Sequence, residues 1–271
     1  MNPRTIGECL WEATNLLPKR EAEVITCAAL NINRATLYSH PERLTRYSTA
    51  RRHQYWVHRR QVGEPIAYIT GTKEFWSLNF EINRSVLIPR QDTEVLVEVA
   101  IDLANTADRI LDLGCGSGAI AISIARDTQT VVSACDIDTD CIELTLKNAS
   151  KHSVVVKTFL SDWFSKINGQ YDLIVSNPPY LSPHDTHLSS SDLKWEPQHA
   201  LLCKNRGLRC LTLIITSARE FLRPGGKLLV EHGYNQQTPV ASLFKQSGFV
   251  QIESYKDLSG ITRATKGVRR E

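Results

Sequence analysis

Asn177-Pro178-Pro179-Tyr180 is a tetrad whose parts can grip a flat amino group. An amide or ring amino nitrogen is a poor nucleophile because its lone pair is delocalised. Two acceptors placed on its two hydrogens orient it and draw charge back onto nitrogen. The Asn177 side-chain oxygen and the Pro178 carbonyl suit that task, and Tyr180 can stack on the flat group. Neither proline has an N–H and both fix φ, so Pro178 and Pro179 stiffen the loop. This is catalysis by positioning and fixed dipoles, without a strong base. Alone, the tetrad also reads as an ordinary proline turn.

Upstream the chain reads Asp112-Leu113-Gly114-Cys115-Gly116-Ser117-Gly118. Gly114, Gly116 and Gly118 can take positive φ and let backbone approach a ligand closely. The helix start that follows offers free N–H groups. The spacing differs from the Gly-x-Gly-x-x-Gly dinucleotide fingerprint, which favours a cofactor without a pyrophosphate. Cys115 and Ser117 fill the loop between the glycines, and Cys115 has no adjacent basic partner to activate it. A tight structural turn is the bland alternative. Loop and tetrad together, in this order, point to methyl transfer from S-adenosylmethionine to a flat nitrogen.

These residues need strand ends to hold them. From about residue 109 the sequence alternates strand and helix: strands at 109–113, 131–135, 154–159, 173–176 and 227–231, helices at 119–125, 138–149, 208–221 and 238–246, and a closing strand pair at 249–255 and 261–268. Pro224-Gly225-Gly226 reads as a turn. Such alternation predicts a mostly parallel, doubly wound α/β sheet. Asp136 ends the second strand, where an acid can accept from both hydroxyls of a ribose. Asp138 competes for that role but reads better as the cap of the next helix. Asp162-Trp163 lies just beyond the third strand: Trp163 can lie against an adenine ring and Asp162 can accept from its amino group. A capping Asp and a core Trp are the plain alternatives. His184 and His187, one helical turn apart, sit among Ser and Pro and read as loop, and His232 reads as structural.

Residues 1–63 read as helices, with Ile6, Leu10 and Ala13, then Ala22, Ile25, Ala28 and Ala29, at helical spacing. Pro18 and Asn31 mark a start and a stop, and Ser48 or Thr49 is the expected cap of a helix running to Val62. Residues 73–88 suggest a hairpin with Asn83-Arg84 as its turn. The organisation is therefore 1–72 helical, 73–90 a hairpin linker and 91–271 the α/β domain. The first 80 residues carry eleven Lys and Arg against seven Glu and no Asp. That basic segment suits a solvated face or an acidic or nucleic-acid-bearing partner. The seven cysteines have no Cys-x-x-Cys pair, which argues against a zinc site or a disulfide framework and for a reducing, cytoplasmic compartment. No apolar run reaches the ~18 residues of a membrane span, and the polar N-terminus does not read as a signal peptide.

With loop and tetrad come further segments: Gly71-Thr72-Lys73-Glu74-Phe75-Trp76, Leu87-Ile88-Pro89-Arg90, Asp92-Thr93-Glu94, Ser161-Asp162-Trp163, Glu196-Pro197 and Glu231-His232-Gly233. On these the chain resembles the bacterial release-factor glutamine methyltransferases, the HemK/PrmC family, over nearly its whole length. The resemblance implies a helical substrate-docking domain, a hairpin linker and a class I (Rossmann-like) methyltransferase domain. It implies S-adenosylmethionine as cofactor, contacted by Gly114 to Gly118, Asp136, Asp162, Trp163 and Asn177. It implies as substrate the glutamine of the Gly-Gly-Gln motif in class I peptide-chain release factors, held by Asn177 to Tyr180. No direct nucleic-acid partner and no membrane are expected. The chain departs from the family pattern at Gln91, Arg206 and Thr262, away from the core motifs. Three rival readings are a glutamine methyltransferase for ribosomal protein L3, which shares the tetrad but differs where Gln91-Asp92-Thr93 stands; a nucleic-acid amino methyltransferase, which needs a flipped or single-stranded base; and a binding module that has lost its chemistry.

Overall fold

The computed structural model describes residues 4–183, 185 and 192–270, in two compact units. His184 and His187 lie outside the described residues.

The first unit holds residues 4–72 with 192–195. Its helices are α1 (Ile6–Leu16), α2 (Lys19–Leu30), α3 (Arg34–Ser39), α4 (Tyr47–Gln61) and α5 (Ile66–Thr70). Thr5 and Glu8 form a reciprocal capping box at the start of α1. Pro18 opens α2 and Asn31 closes it in the left-handed conformation, φ 54°. The cap expected at Ser48 or Thr49 is not used. Helix α4 starts earlier, at Tyr47, without a side-chain cap, and the Thr49 hydroxyl donates back to the Arg46 carbonyl. Ala13, Leu17, Ala22, Ile25 and Val57 form a core. His53 is buried with Nε2 3.0 Å from the Thr26 hydroxyl, and burial pulls its pKa down to about 4.

The second unit begins at Lys73. Strands β1 (Thr72–Phe75) and β2 (Leu78–Glu81) are joined by Trp76 and Ser77, both at positive φ (51° and 57°). That is the backbone of a two-residue type I′ hairpin. The expected turn at Asn83-Arg84 therefore does not make the hairpin. It forms a separate bend, with Val86 N–H donating to the Asn83 carbonyl, after the strand has ended. Trp and Ser are poor residues for left-handed backbone. Here Glu94 accepts the Trp76 N–H and Asp127 accepts its indole N–H.

The sheet unit continues with α6 (Glu94–Leu103), β3 (Ile110–Leu113), α7 (Ala119–Thr128), β4 (Val132–Asp136), α8 (Thr139–Lys151), β5 (Val156–Leu160) and β6 (Tyr171–Ser176). It ends with α9 (Gln198–Leu201), α10 (Arg209–Phe221), β7 (Leu222–Glu231), α11 (Gln237–Gln246), β8 (Phe249–Lys256) and β9 (Thr262–Arg269). Among the described residues seven strands form one sheet in the order β5-β4-β3-β6-β7-β9-β8. The first five are parallel and the last two add antiparallel. Strand β3 is buried at every position, as a central strand covered on both faces must be. Helix α10 buries Leu211, Ile214, Ile215 and Ala218, one stripe at helical spacing. Pro224-Gly225-Gly226 is not a turn that precedes β7 but an excursion within it. Tyr171 pairs with Leu222 and Leu173 with Lys227, so the intervening residues bulge.

The chain runs β3 to β4 to β5 outward to one edge, then returns to place β6 on the other side of β3. That reversal opens a crevice at the carboxyl ends of β3 and β6.

Candidate active site

Leu113 pairs with Ser176, so Gly114 and Asn177 leave adjacent strands at the same level although sixty-three residues separate them. The Ser176 hydroxyl donates to the Leu113 carbonyl at 2.7 Å and fixes this register from within. A cavity of about 310 Å3 opens there. Its walls include Gly114, Cys115, Gly116, Ser117, Asp136, Asp162, Trp163, Asn177 and Pro179. Gly118, Pro178 and Tyr180 are not among the wall residues.

The three loop glycines all have positive φ, at 79°, 53° and 79°. They differ in what surrounds them. A Cβ on Gly118 would lie 2.9 Å from Ile122 Cδ1 and Thr145 Cγ2, so packing demands glycine. A Cβ on Gly116 would meet nothing within 4 Å, so its backbone faces open cleft. The loop is supported from behind. Gly114 and Cys115 N–H both donate to the Cys135 carbonyl. The Thr145 hydroxyl donates to the Gly116 carbonyl, and Asn148 Nδ2 donates to the Ser117 carbonyl. Asn148 also exchanges hydrogen bonds with both backbone groups of Glu81, so one buried side chain on α8 ties the loop to β2. The Cys115 thiol is buried, and burial with the nearby carboxyls of Asp112 and Asp136 pushes its pKa up. It is a packing residue with no nucleophilic character.

Asp136 stands at the end of β4. Its Oδ2 accepts from Gly116 N–H at 2.9 Å and its Oδ1 from Asp138 N–H at 3.1 Å. Each oxygen keeps a lone pair for one more donor. Asp138 caps α8 by accepting from Asp140 N–H. Trp163, at φ 46°, borders the glycine loop, since a Cβ on Gly114 would lie 3.6 Å from its ring. Asp162 is exposed beside it. Beneath the loop Asp112 is fully buried, accepts from Ala121 N–H, and leaves Oδ1 without a partner. Burial pushes its pKa up to about 7. An open backbone cradle, a carboxylate with lone pairs to spare, an aromatic face and an acidic lining fit a cationic nucleoside cofactor.

Asn177 is half-buried, and its Nδ2 donates to the Thr93 hydroxyl at 3.1 Å, which leaves Oδ1 to accept. Pro178 is buried. The Tyr180 ring packs against the main core and its hydroxyl donates to Glu231 Oε1 at 3.0 Å. Burial, then the Glu231 charge, holds the phenol well above its ordinary range. Gly207 presses on the Tyr180 carbonyl so closely that a Cβ there would overlap it at 1.9 Å. Gln236 Nε2 bridges the carbonyls of Tyr180 and Arg206. Arg206 and Gly207 both have positive φ, so the segment at one of the departures from the family pattern braces the tetrad.

Thr93, Glu231, Asn148 and Gln236 were not singled out as site residues from the sequence. The signals existed for two of them, since Asp92-Thr93-Glu94 and Glu231-His232-Gly233 stand out as segments. Their partners, Asn177 and Tyr180, lie 84 and 51 residues away along the chain, so periodicity and spacing do not connect them. Glu196 is similar: it is buried, accepts from Ile88 N–H and pairs with Arg90, which lines the cleft. His232 is buried, bonded to the Thr265 hydroxyl and the Gly233 carbonyl, and burial pulls its pKa down. It is structural. Among the described residues no cluster of side chains suits a metal ion, and no helix is long and apolar enough to cross a membrane.

Residues 91–193 match the Methyltransferase small domain model, and residues 6–71 match the PrmC N-terminal domain model. A release factor glutamine methyltransferase of Salmonella typhimurium is 41% identical over 95% of this chain and 96% of its own length. One from Shewanella oneidensis is 39% identical over 91% of this chain and 88% of its own. A methyltransferase from Pyrococcus furiosus of known structure superposes with a TM-score of 0.56 at 14% identity, over 73% of this chain and 92% of that one. A ribosomal protein L11 methylase from Lactobacillus delbrueckii does so at 0.52 and 19%, over 68% and 81%. These two likenesses establish the class I methyltransferase fold, and the two sequence relatives establish more: the chain belongs to the release factor glutamine methyltransferase family.

Proposed function

We propose that this chain transfers a methyl group from S-adenosylmethionine to the side-chain amide nitrogen, N5, of the glutamine in the Gly-Gly-Gln motif of class I peptide-chain release factors. The observation that carries the reading is the register between β3 and β6, which puts the glycine loop and the tetrad side by side. S-adenosylmethionine, when bound, supplies a methyl group made electrophilic by its sulfonium. Gly114 to Gly118 offer the backbone cradle. Asp136 accepts from the ribose hydroxyls, and Trp163 with Asp162 borders the base. Asn177 Oδ1 accepts one hydrogen of the glutamine amide and the Pro178 carbonyl accepts the other. Pro179 walls the site and the Tyr180 ring is its flat neighbour. Held this way, the amide nitrogen presents its lone pair in one direction, and the fixed acceptors stabilise charge as it develops. Neither acceptor is a strong base, so the proton released on methylation goes to solvent.

The helical unit is read as the docking domain for the factor, and the cytoplasm, where the factor works, as the place of action. No direct nucleic-acid contact belongs to this reading. A chain lacking residues 1–70 should bind cofactor normally and act poorly on intact factor, because docking energy is lost. The deciding experiment is incubation with labelled S-adenosylmethionine and release factor, with L3, DNA and RNA tested separately. Label on the Gly-Gly-Gln glutamine is expected. Label on a nucleic acid and none on the factor would overturn the reading.

A further inference from the structure

Two polar ends of the tetrad lead to the same buried carboxyl. Tyr180 donates to Glu231 Oε1 at 3.0 Å, Asn177 Nδ2 donates to the Thr93 hydroxyl at 3.1 Å, and Thr93 is near enough to Glu231 to pull against the rise of its pKa. Glu231 closes β7, is 1% exposed, and has no partner that completes a bond to Oε2. A buried carboxyl of this kind is a net cost to folding unless something else retains it. Glu231 is buried beneath the tetrad with its Oε1 taken by the Tyr180 hydroxyl, so it acts through its neighbours and does not itself hold substrate or cofactor.

The direction of the hydrogen bonds gives it a task. A threonine hydroxyl can donate or accept, and so can either end of an asparagine amide. A carboxylate can only accept. The Thr93 oxygen accepts from Asn177 Nδ2, so its own proton is free for an acceptor, and a Glu231 carboxylate, which can only accept, draws it that way. Asn177 Oδ1 is then turned outward as the acceptor that an amide substrate needs. The same carboxylate holds the Tyr180 hydroxyl as a donor and so anchors the far end of the loop. A protonated or amide side chain in its place can donate, and the orientation of the whole set is no longer forced.

We propose that Glu231 and Thr93 are positioning residues, whose hydrogen bonds fix the orientation of Asn177 and Tyr180 and thereby turn the tetrad into an acceptor site for a planar nitrogen. The inference rests on the methyl-transfer reading above, though not on which macromolecule carries the nitrogen. The charged or titratable groups that face Glu231 are Asp92, Tyr180 and Arg263, with His232 next in the chain. Arg263 is paired with Asp92 and Asp257. Burial is the dominant influence and lifts the Glu231 pKa from 4.5 to about 7, against the pull of the Thr93 and Tyr180 hydroxyls and Arg263.

That shift supplies a readout that a merely structural role would not move. A carboxyl with a raised folded pKa costs nothing below pH 4.5, where both states are protonated. Its cost grows as pH rises towards 7 and is complete above it. Glu231→Gln removes the cost, so it should melt at or above the wild-type temperature at pH 8. It should nonetheless slow single-turnover transfer by about 10- to 100-fold, as loss of precise orientation does. Cofactor affinity by calorimetry should fall by less than about threefold, and by less than transfer does, because the glycine loop, Asp136 and Trp163 are untouched and only Asn177 borders both ligands. Thr93→Val should slow transfer to a similar degree and Thr93→Ser should restore most of it. At saturating cofactor wild-type transfer should fall as pH drops through about 7, and Glu231→Gln should flatten that limb; Asp112, raised to the same range beneath the glycine loop, is read separately through the pH dependence of cofactor affinity.

Near-normal transfer by Glu231→Gln would overturn the proposal, and so would a loss matched by equal losses of melting temperature and cofactor binding. Thr93→Ser as slow as Thr93→Val would overturn the part played by the hydroxyl. Wild-type enzyme is run beside the variants on release factor, L3 and RNA. If it labels L3 or RNA instead of the factor, the assigned substrate fails, and the same variants on the labelled acceptor decide Glu231 independently.

Discussion

The glycine loop and the tetrad leave neighbouring strands of one sheet, and they are held by different means. The loop is a backbone object. Three positive-φ glycines shape it, the Cys135 carbonyl receives two of its N–H groups, and α8 caps two of its carbonyls. The tetrad is a side-chain object, tied at Asn177 to Thr93, at the Tyr180 hydroxyl to Glu231 and at the Tyr180 carbonyl to Gln236. A cofactor common to many enzymes can be gripped through backbone, which any sequence supplies. A flat, unreactive nitrogen needs particular acceptors in particular orientations, and only side chains from elsewhere in the fold can set those.

The contrast is broken most directly at Asn177. Asn177→Ala removes one preorganised polar partner, which in comparable sites lowers rate by roughly 100- to 1000-fold. Single-turnover transfer at saturating cofactor and release factor should fall by that amount, with binding of the factor nearly unchanged. Near-normal transfer would make the tetrad a structural turn and put activation of the nitrogen elsewhere.

The same contrast explains what could be read in advance. The glycine loop, the strand and helix on either side and the acid at Asp136 are local patterns, and the α/β alternation is visible over tens of residues. The hairpin turn at Trp76-Ser77 is not legible locally, because neither residue favours the positive φ that it adopts. Its left-handed backbone is secured by Glu94, eighteen residues on, which local propensity does not reveal. Pro224-Gly225-Gly226 reads as a break because glycine and proline break isolated strands, but here β6 pairs with β7 at Leu222 before the excursion and at Lys227 after it and absorbs it as a bulge. Thr93 and Glu231 were legible only as motif members. Their roles are properties of burial and of strand order, which exist only in the folded chain.

On the cofactor side the expected effect is next in size. Asp136→Ala removes two charge-assisted hydrogen bonds and should weaken cofactor binding by about 2–4 kcal/mol, less if water substitutes. Because Asp136 also accepts from Gly116 and Asp138, part of that loss should come from a loosened loop. Calorimetric titration decides it, and an unchanged affinity would move the ribose role to Asp138.

The glycines then separate shape from contact. Gly118→Ala meets Ile122 and Thr145 at 2.9 Å and keeps a positive φ, so it should cost about 1–3 kcal/mol of stability by overpacking and strain. Gly116→Ala has open space around it and should cost only about 1 kcal/mol for its φ. Its methyl group would project into the cleft, so cofactor affinity should fall more than stability does. Thermal melting with calorimetry distinguishes the two. Equal behaviour of the two variants would show that loop conformation alone, not access to the backbone, governs binding.

The smallest effect is expected where the two regions join. Ser176 is fully buried, and its hydroxyl donates to the Leu113 carbonyl across the β3–β6 pair, one residue before both Gly114 and Asn177. Ser176→Ala removes one neutral buried hydrogen bond, worth about 1 kcal/mol of stability. The ladder between the strands remains, so the register should hold and cofactor affinity should stay within about twofold. Transfer is more sensitive, because a small shift between loop and tetrad alters the line between donor and acceptor; a drop of about 3- to 10-fold is expected. Melting, calorimetry and single-turnover transfer on the same variant read the three quantities separately. Loss of cofactor binding in proportion to transfer would mean that the hydroxyl supports the loop alone. Unchanged transfer would mean that the main-chain ladder already fixes the spacing of the two regions and that the hydroxyl adds only stability.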